Sequence, residues 1–330
     1  MAVENCGVVV EKLGENRFRA FCPTLLDCEA VATTEDAARQ TVEAVLSRIM
    51  SERRVVLEMN PIDALFQKLR ASRQKAFMPF ITAGDPSVEV TTRLIAELAR
   101  QGAGMVEVGI PYSDPIADGP VIQASYTRSL ARGIKLKDIF DGIVKFTSSA
   151  EYATNPVPLV CMVAFAIIHR QGPEAFVVNA LRAGFSGAII PDLPVEEAGA
   201  MSRLAAERNF KIIQLVTPTT PRERAVEIAK VSTGFLYYVS ITGITGERDR
   251  LPRELIEQLR WLRTQTELPI CVGFGISKPE QVRLLRDVAD GVIVGSALVR
   301  QLEKIEGRSL DEVVKEIGAL AGSLANALNS

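Results

Sequence analysis

Met105-Val106-Glu107-Val108-Gly109-Ile110-Pro111-Tyr112-Ser113-Asp114-Pro115-Ile116-Ala117-Asp118-Gly119-Pro120 opens as a short apolar strand and runs into a loop of Pro, Gly, Ser and Asp. Strand side chains alternate between faces. Val106, Val108 and Ile110 therefore share one face, and Glu107 lies on the other between Met105 and Gly109. A lone carboxylate is costly to bury, so a structural role alone explains Glu107 poorly. Asp118 follows in the loop, where it can fold back towards the same strand end. Two acids at one strand end, with a shape-determining loop between them, point to an acid/base site.

Working outward, the same kind of apolar run recurs. Strands are expected over 77–82, 105–110, 158–165, 187–192, 211–217, 234–240, 269–275 and 291–296. Helical patterns separate them, for example over 88–100, 196–208, 221–230 and 279–286. The strands are apolar on both faces, as buried parallel strands are. Eight strand–helix units in residues 58–330 fit a (β/α)8 TIM barrel better than an open doubly wound sheet. A helix over 61–72 would close the barrel bottom, and the last helices, to about residue 327, would complete the outer ring.

Residues 1–57 form a different pattern, a small α+β module. Strands are expected over 7–13 and 17–22, joined by a turn at Gly14-Glu15-Asn16, with a short third over 28–32. Thr33 or Thr34 then caps a helix whose apolar face carries Ala37, Ala38, Val42, Ala44 and Val45. The stretch Phe21-Cys22-Pro23-Thr24-Leu25-Leu26-Asp27-Cys28, followed by this helix, resembles the HicB-type antitoxin-like domain. The cluster Glu52-Arg53-Arg54 ends the helix and starts a linker.

Composition removes several function classes. The chain has 330 residues, 47% hydrophobic, and a net charge of −2. That charge gives no reason to expect nucleic acid or an anionic membrane as partner. Apolar runs such as 158–168 are too short to span a bilayer, and the N-terminus lacks a signal-peptide pattern. Five cysteines at spacings that match no zinc motif indicate thiols in a reducing, cytoplasmic setting. The single histidine, His169, leaves no multi-histidine metal site, and no metal is expected.

A TIM barrel places function at the C-terminal ends of its strands. Those ends carry Thr82-Ala83-Gly84-Asp85-Pro86, the Glu107 loop, Pro191-Asp192-Leu193-Pro194 and the Gly-rich segment from Ser240 to Arg248. The last two strands end in Gly273-Phe274-Gly275-Ile276-Ser277 and in Gly295-Ser296. Glycines there let backbone N–H groups approach a phosphate, and a helix start favours its charge.

Pro79 to Pro86, Glu107 to Pro120, Pro191 to Glu197, Val239 to Gly246 and Gly273 to Ser277 together resemble the tryptophan synthase alpha chain family. The likeness runs from about Pro61 to the end, in order and spacing. It implies a lyase that cleaves indole-3-glycerol phosphate to indole and glyceraldehyde 3-phosphate without a cofactor. It also implies a pyridoxal-phosphate beta subunit as partner in an alpha2-beta2 heterotetramer. Residue by residue, it makes Glu107 the catalytic acid/base, Asp118 the partner of the indole N–H and Tyr237 a neighbour of the glycerol chain. Phe80 and Ile122 match apolar contacts to indole, and Thr245 a closing-loop residue. Gly246, Gly275, Gly295 and Ser296 match the phosphate cradle.

The likeness has gaps. The family carries a Tyr and an Asn after the third barrel strand, where this chain has Ala164 and Ala166. The asparagine belongs to the beta-subunit contact, so that contact is expected to differ. His169, nearby, is expected at the surface, the alternative being a position facing the partner subunit. Another phosphate-binding barrel of the same pathway would share the glycines but not the Glu107 stretch. A non-catalytic barrel would have no use for the two acids.

Overall fold

The structure is a computed structural model that describes residues 8–21, 29–54, 59–115, 118–240, 252–273, 275–305 and 307–330, with side chains 46–54 outside that description. The chain divides into two compact units between Met59 and Asn60.

In the first unit, β1 (Val9–Gly14), β2 (Arg17–Phe21) and β3 (Glu29–Ala32) form an antiparallel sheet in chain order. Asn16, at φ 56°, makes the tight turn between the first two. The helix α1 (Glu35–Arg54) follows, and the Thr34 hydroxyl accepts from the Ala37 N–H at 3.3 Å. Ala38 and Val42 meet Ala20 in a small core flanked by Val10 and Phe18. Of the antitoxin-like stretch, residues 22–28 lie outside the described residues, as do Cys6 and 55–58 of the expected linker.

The second unit begins with α2 (Pro61–Ser72), whose start is fixed by Asn60. The Asn60 carbonyl oxygen accepts from Ile62 N–H at 2.9 Å, and its amide donates to the carbonyls of Ser186 and Asn209. One buried side chain thus caps the helix and ties it to the strand residue Ser186 and to the turn at Asn209. Replacing Asn60 by alanine should cost about 2–4 kcal/mol, a lost cap plus unpaired buried carbonyls. Thermal melts of wild type and variant check this; an unchanged melting temperature would contradict it.

The barrel follows in regular alternation. Its first half is β4 (Ala76–Thr82), α3 (Val88–Arg100), β5 (Val106–Gly109), α4 (Pro120–Ala131), α5 (Leu136–Thr147), α6 (Ala150–Thr154), β6 (Leu159–Met162), α7 (Phe165–Gln171), α8 (Pro173–Arg182) and β7 (Phe185–Ile189). Its second half is α9 (Val195–Ala206), β8 (Lys211–Val216), α10 (Arg222–Val231), β9 (Leu236–Val239), α11 (Arg253–Arg263), β10 (Ile270–Gly273), α12 (Pro279–Leu285), β11 (Gly291–Val294), α13 (Ser296–Leu302) and α14 (Leu310–Asn329). All eight strands pair in parallel, and β11 against β4 closes the ring.

Strand alternation sorts the core into two layers. Phe77, Ile81, Val106 and Val108 face outward and pack on the helices, as do Leu94 and Leu98 of α3 from the other side. Met78, Phe80, Met105, Val160, Met162, Ile189, Ile213, Tyr237, Cys271 and Ile293 fill the interior. Ile62 and Phe66 of α2 plug the bottom, with the Phe66 and Phe235 rings 5.9 Å apart.

The strand order matches the expectation, but some ends differ. The run expected over 158–165 stops at Met162, because Phe165 already begins α7. The carboxylate of Asp192 accepts the Phe165 N–H at 2.7 Å and so starts that helix. The strand expected over 187–192 lies earlier, at β7. Residues 150–154 of the long connection form a short helix. His169 is exposed, its ring edge-on to Phe165. Among the described residues, no helix is long and apolar enough to cross a membrane.

Candidate active site

The two acids meet at the C-terminal mouth of the barrel. Glu107 sits on β5 opposite Phe80 of β4 and Val160 of β6, on the inward face, with 3% of its surface exposed. Neither of its carboxylate oxygens has a hydrogen-bond partner among the described residues. Burial, with the nearby Asp118 charge second, pushes its pKa from 4.5 up to about 8. At neutral pH this carboxyl is therefore largely protonated. Burial also raises Asp118, to about 6, which leaves it mostly ionised at the same pH. One acid ready to donate beside one anion ready to accept is the arrangement acid/base chemistry needs.

Local geometry sets both groups. The Asp118 N–H donates to the Pro115 carbonyl, and the Gln123 side-chain amide donates to the Asp118 and Pro115 carbonyls. The loop is thereby held against α4, which Pro120 opens at its first helical position. The helix is fixed in turn to the loop after β4. Thr82 and Ser125 hydroxyls lie 2.6 Å apart, and Arg128 donates twice to the buried carboxylate of Asp85. Glycines leave room for the aromatic walls. A Cβ at Gly109 would stand 2.4 Å from Phe80 Cζ, and one at Gly273 would stand 2.5 Å from the Tyr237 hydroxyl.

A cavity of about 460 Å3 opens over Glu107. Glu107, Asp118, Tyr237, Phe80, Ile122, Gly275, Gly295 and Ser296, all singled out in the sequence, line it. Its acids come from β5 and the loop after it, and its glycines from the ends of β10 and β11. Thr245 and Gly246 lie outside the described residues. The wall includes Met162, Leu215, Val239 and Ile293, which the sequence reading did not name. Their signal was available: each stands on the inward parity of its strand. No lysine or histidine is among the described lining residues, so a Schiff-base lysine has no representative there. Among the described residues no group of three metal-ligating side chains occurs.

Tyr126 was also missed. It is buried on α4, one turn beyond Ile122, and its hydroxyl would lie 2.6 Å from a Cβ on Gly109. The charges of Asp118 and Glu107, after burial, push its phenol well above its usual range. The i, i+4 spacing from Ile122 was the available signal.

Comparison with known proteins gives one consistent result. The profile of the tryptophan synthase alpha chain family matches residues 66–329. The alpha chain of Rhodopirellula baltica is 50% identical over 279 residues, covering 82% of this chain and 100% of that protein. That of Rippkaea orientalis is 45% identical over 82% of this chain and 98% of its own. The crystal structure of tryptophan synthase subunit alpha from Legionella pneumophila superposes with a TM-score of 0.73 at 38% identity, over 82% of this chain and 99% of that one.

Proposed function

This chain belongs to the tryptophan synthase alpha chain family, and from that premise we propose that Glu107 and Asp118 cleave indole-3-glycerol phosphate to indole and glyceraldehyde 3-phosphate. Glu107, protonated, delivers its proton to indole C3. The charge that develops on the ring is stabilised by Asp118, which accepts the indole N–H. The bond from C3 to the glycerol carbon then breaks, and its electron pair restores the aromatic ring. The hydroxyl on that carbon loses its proton and becomes the aldehyde. Glu107, now a carboxylate, is placed to take that proton and return to its starting state. Tyr237 flanks the glycerol chain, and Phe80 and Ile122 hold the indole faces. Gly275, Gly295 and Ser296 receive the phosphate on backbone N–H groups and the start of α13; for Thr245 and Gly246 the roles in the closing loop and phosphate cradle rest on the family likeness alone.

The observation that carries this reading is the pair of unpartnered Glu107 oxygens, buried in one cavity with Asp118 and with the glycine ends of β10 and β11. A pH–rate profile tests it. Donation requires protonated Glu107, so kcat/KM should fall as pH rises through about 8. Acceptance requires ionised Asp118, so it should also fall as pH drops through about 6. A rate still climbing at pH 9.5 would contradict the role of Glu107.

The partner is the beta subunit, in an alpha2-beta2 heterotetramer; a solved relative is tryptophan synthase of M. tuberculosis, 27% identical with a TM-score of 0.70. With Ala164 and Ala166 beyond β6, the contact differs from the family pattern. Cytoplasmic residence agrees with the free, buried thiols of Cys161 and Cys271. The first unit, proposed as a HicB-like module over 1–57, is dispensable for the chemistry, since every proposed site residue lies at or beyond Phe80. Removing it while keeping the Asn60 cap should leave indole release within about twofold of wild type. A folded barrel that loses most activity would show that the module shapes the site.

A further inference from the structure

A second cavity, of about 360 Å3, adjoins the first. The two share Asp118, Met162 and Pro191 as wall, so they adjoin at these three residues. Beyond that shared wall the second cavity is bounded by Ile110, Tyr126 and Ala164, and by none of Gly275, Gly295, Ser296 or Tyr237. Ile110, Met162, Val163, Ala164 and two prolines give it an apolar side with only a methyl at Ala164, and Tyr112, Tyr126 and the carboxylates of Asp114, Asp118 and Asp192 complete the wall. It thus extends past Asp118 without touching the residues of the proposed phosphate cradle.

The indole ring has one edge that meets this geometry. With the N–H on Asp118 and C3 on Glu107, the ring atoms beside the nitrogen are C2, towards C3, and C7a, away from it. C7a carries C7. The ring position that looks past Asp118, away from the glycerol phosphate, is therefore C7.

We propose that the second cavity is a side pocket of the active site that receives a small apolar substituent on indole C7, making 7-methyl- and 7-halo-indole-3-glycerol phosphates substrates of this lyase. This rests on the Asp118 contact with the indole N–H. It adds no step to the chemistry, because a C7 substituent takes no part in cleavage of the bond at C3. Position 4 is the contrast. It neighbours C3, under the Glu107 and Phe80 wall, which the second cavity does not touch.

The test measures kcat/KM of the full-length chain for the unsubstituted, 7-methyl and 4-methyl substrates in one assay. A methyl group without space costs about 10–200-fold. The 7-methyl substrate should stay within about threefold of the parent, and the 4-methyl substrate should fall at least about tenfold. Ala164→Phe, which puts a ring where Ala164 has only a methyl, should lower the 7-methyl rate at least about tenfold relative to the parent substrate. A 7-methyl compound no better than the 4-methyl one overturns the proposal. So does a ratio of 7-methyl to parent that Ala164→Phe leaves unchanged. The wild-type comparison decides alone if that variant does not fold. Failure to cleave even the unsubstituted substrate overturns the lyase reading, and the side pocket with it; the parent reaction in the same assay tells the two failures apart.

Discussion

Glu107→Gln is expected to lower the rate of indole release by about 10²–10⁴-fold while the barrel stays folded. Glutamine keeps the size and the hydrogen-bonding reach of the side chain but has no proton to give to C3. The same substitution should raise stability at alkaline pH. In the folded chain burial holds the Glu107 pKa at about 8, against 4.5 for the free side chain. The native state therefore binds this proton more tightly than the unfolded chain does. Stability must then fall as pH rises from about 4.5 to about 8, by on the order of a few kcal/mol. Glutamine does not titrate, so the melting temperature of the variant should gain on wild type across that window. A variant that keeps more than about a tenth of the rate would overturn the assignment. A pH-independent difference in melting temperature would show that Glu107 is not held protonated by burial.

The second large effect concerns the anion. A Cβ at Gly295 would stand 3.4 Å from Phe80 Cβ and Cδ1, so a side chain there stands beside Phe80 on the wall of the cavity where the phosphate is proposed to lie. Gly295→Asp adds a carboxylate against a dianion, a like-charge contact worth several kcal/mol, and KM should rise by about 100-fold or more. Gly295→Ala separates charge from bulk. Its methyl reaches only ordinary contact distance from Phe80, and its KM should move by less than about tenfold. Equal effects of Ala and Asp would mean that shape rather than charge is read at this position. An unchanged KM for Gly295→Asp, with a normal circular dichroism spectrum, would place the phosphate elsewhere.

The barrel was legible because buried parallel strands cannot hide their composition: β4 to β11 are predominantly apolar on both faces, and most are followed within a few residues by glycine or proline. Where strands end was less legible. Val163-Ala164-Phe165 continues the apolar run of β6, yet the chain turns there because Asp192, 27 residues away, captures the Phe165 N–H. Such a contact leaves no mark in local periodicity. The site divided in the same way. Glu107 was visible because a carboxylate on the inner face of a strand has no structural excuse. Phe80 and Gly295 were visible through a motif. Tyr126 belongs to no motif and lies on a helix of mixed composition. Only the helix geometry and the absence of a side chain on Gly109 bring its hydroxyl beside the acids. The side cavity was not legible at all, since it depends on how far the loops after β5, β6 and β7 stand apart.

The most direct test of the central claim is mass balance at pH 7. Full-length chain and its Glu107→Gln variant are each incubated with indole-3-glycerol phosphate, and indole and glyceraldehyde 3-phosphate are counted. The account predicts one of each per substrate consumed by the wild type, and almost none from the variant in the same time. Equal conversion by both proteins, or consumption of substrate without indole, would contradict it.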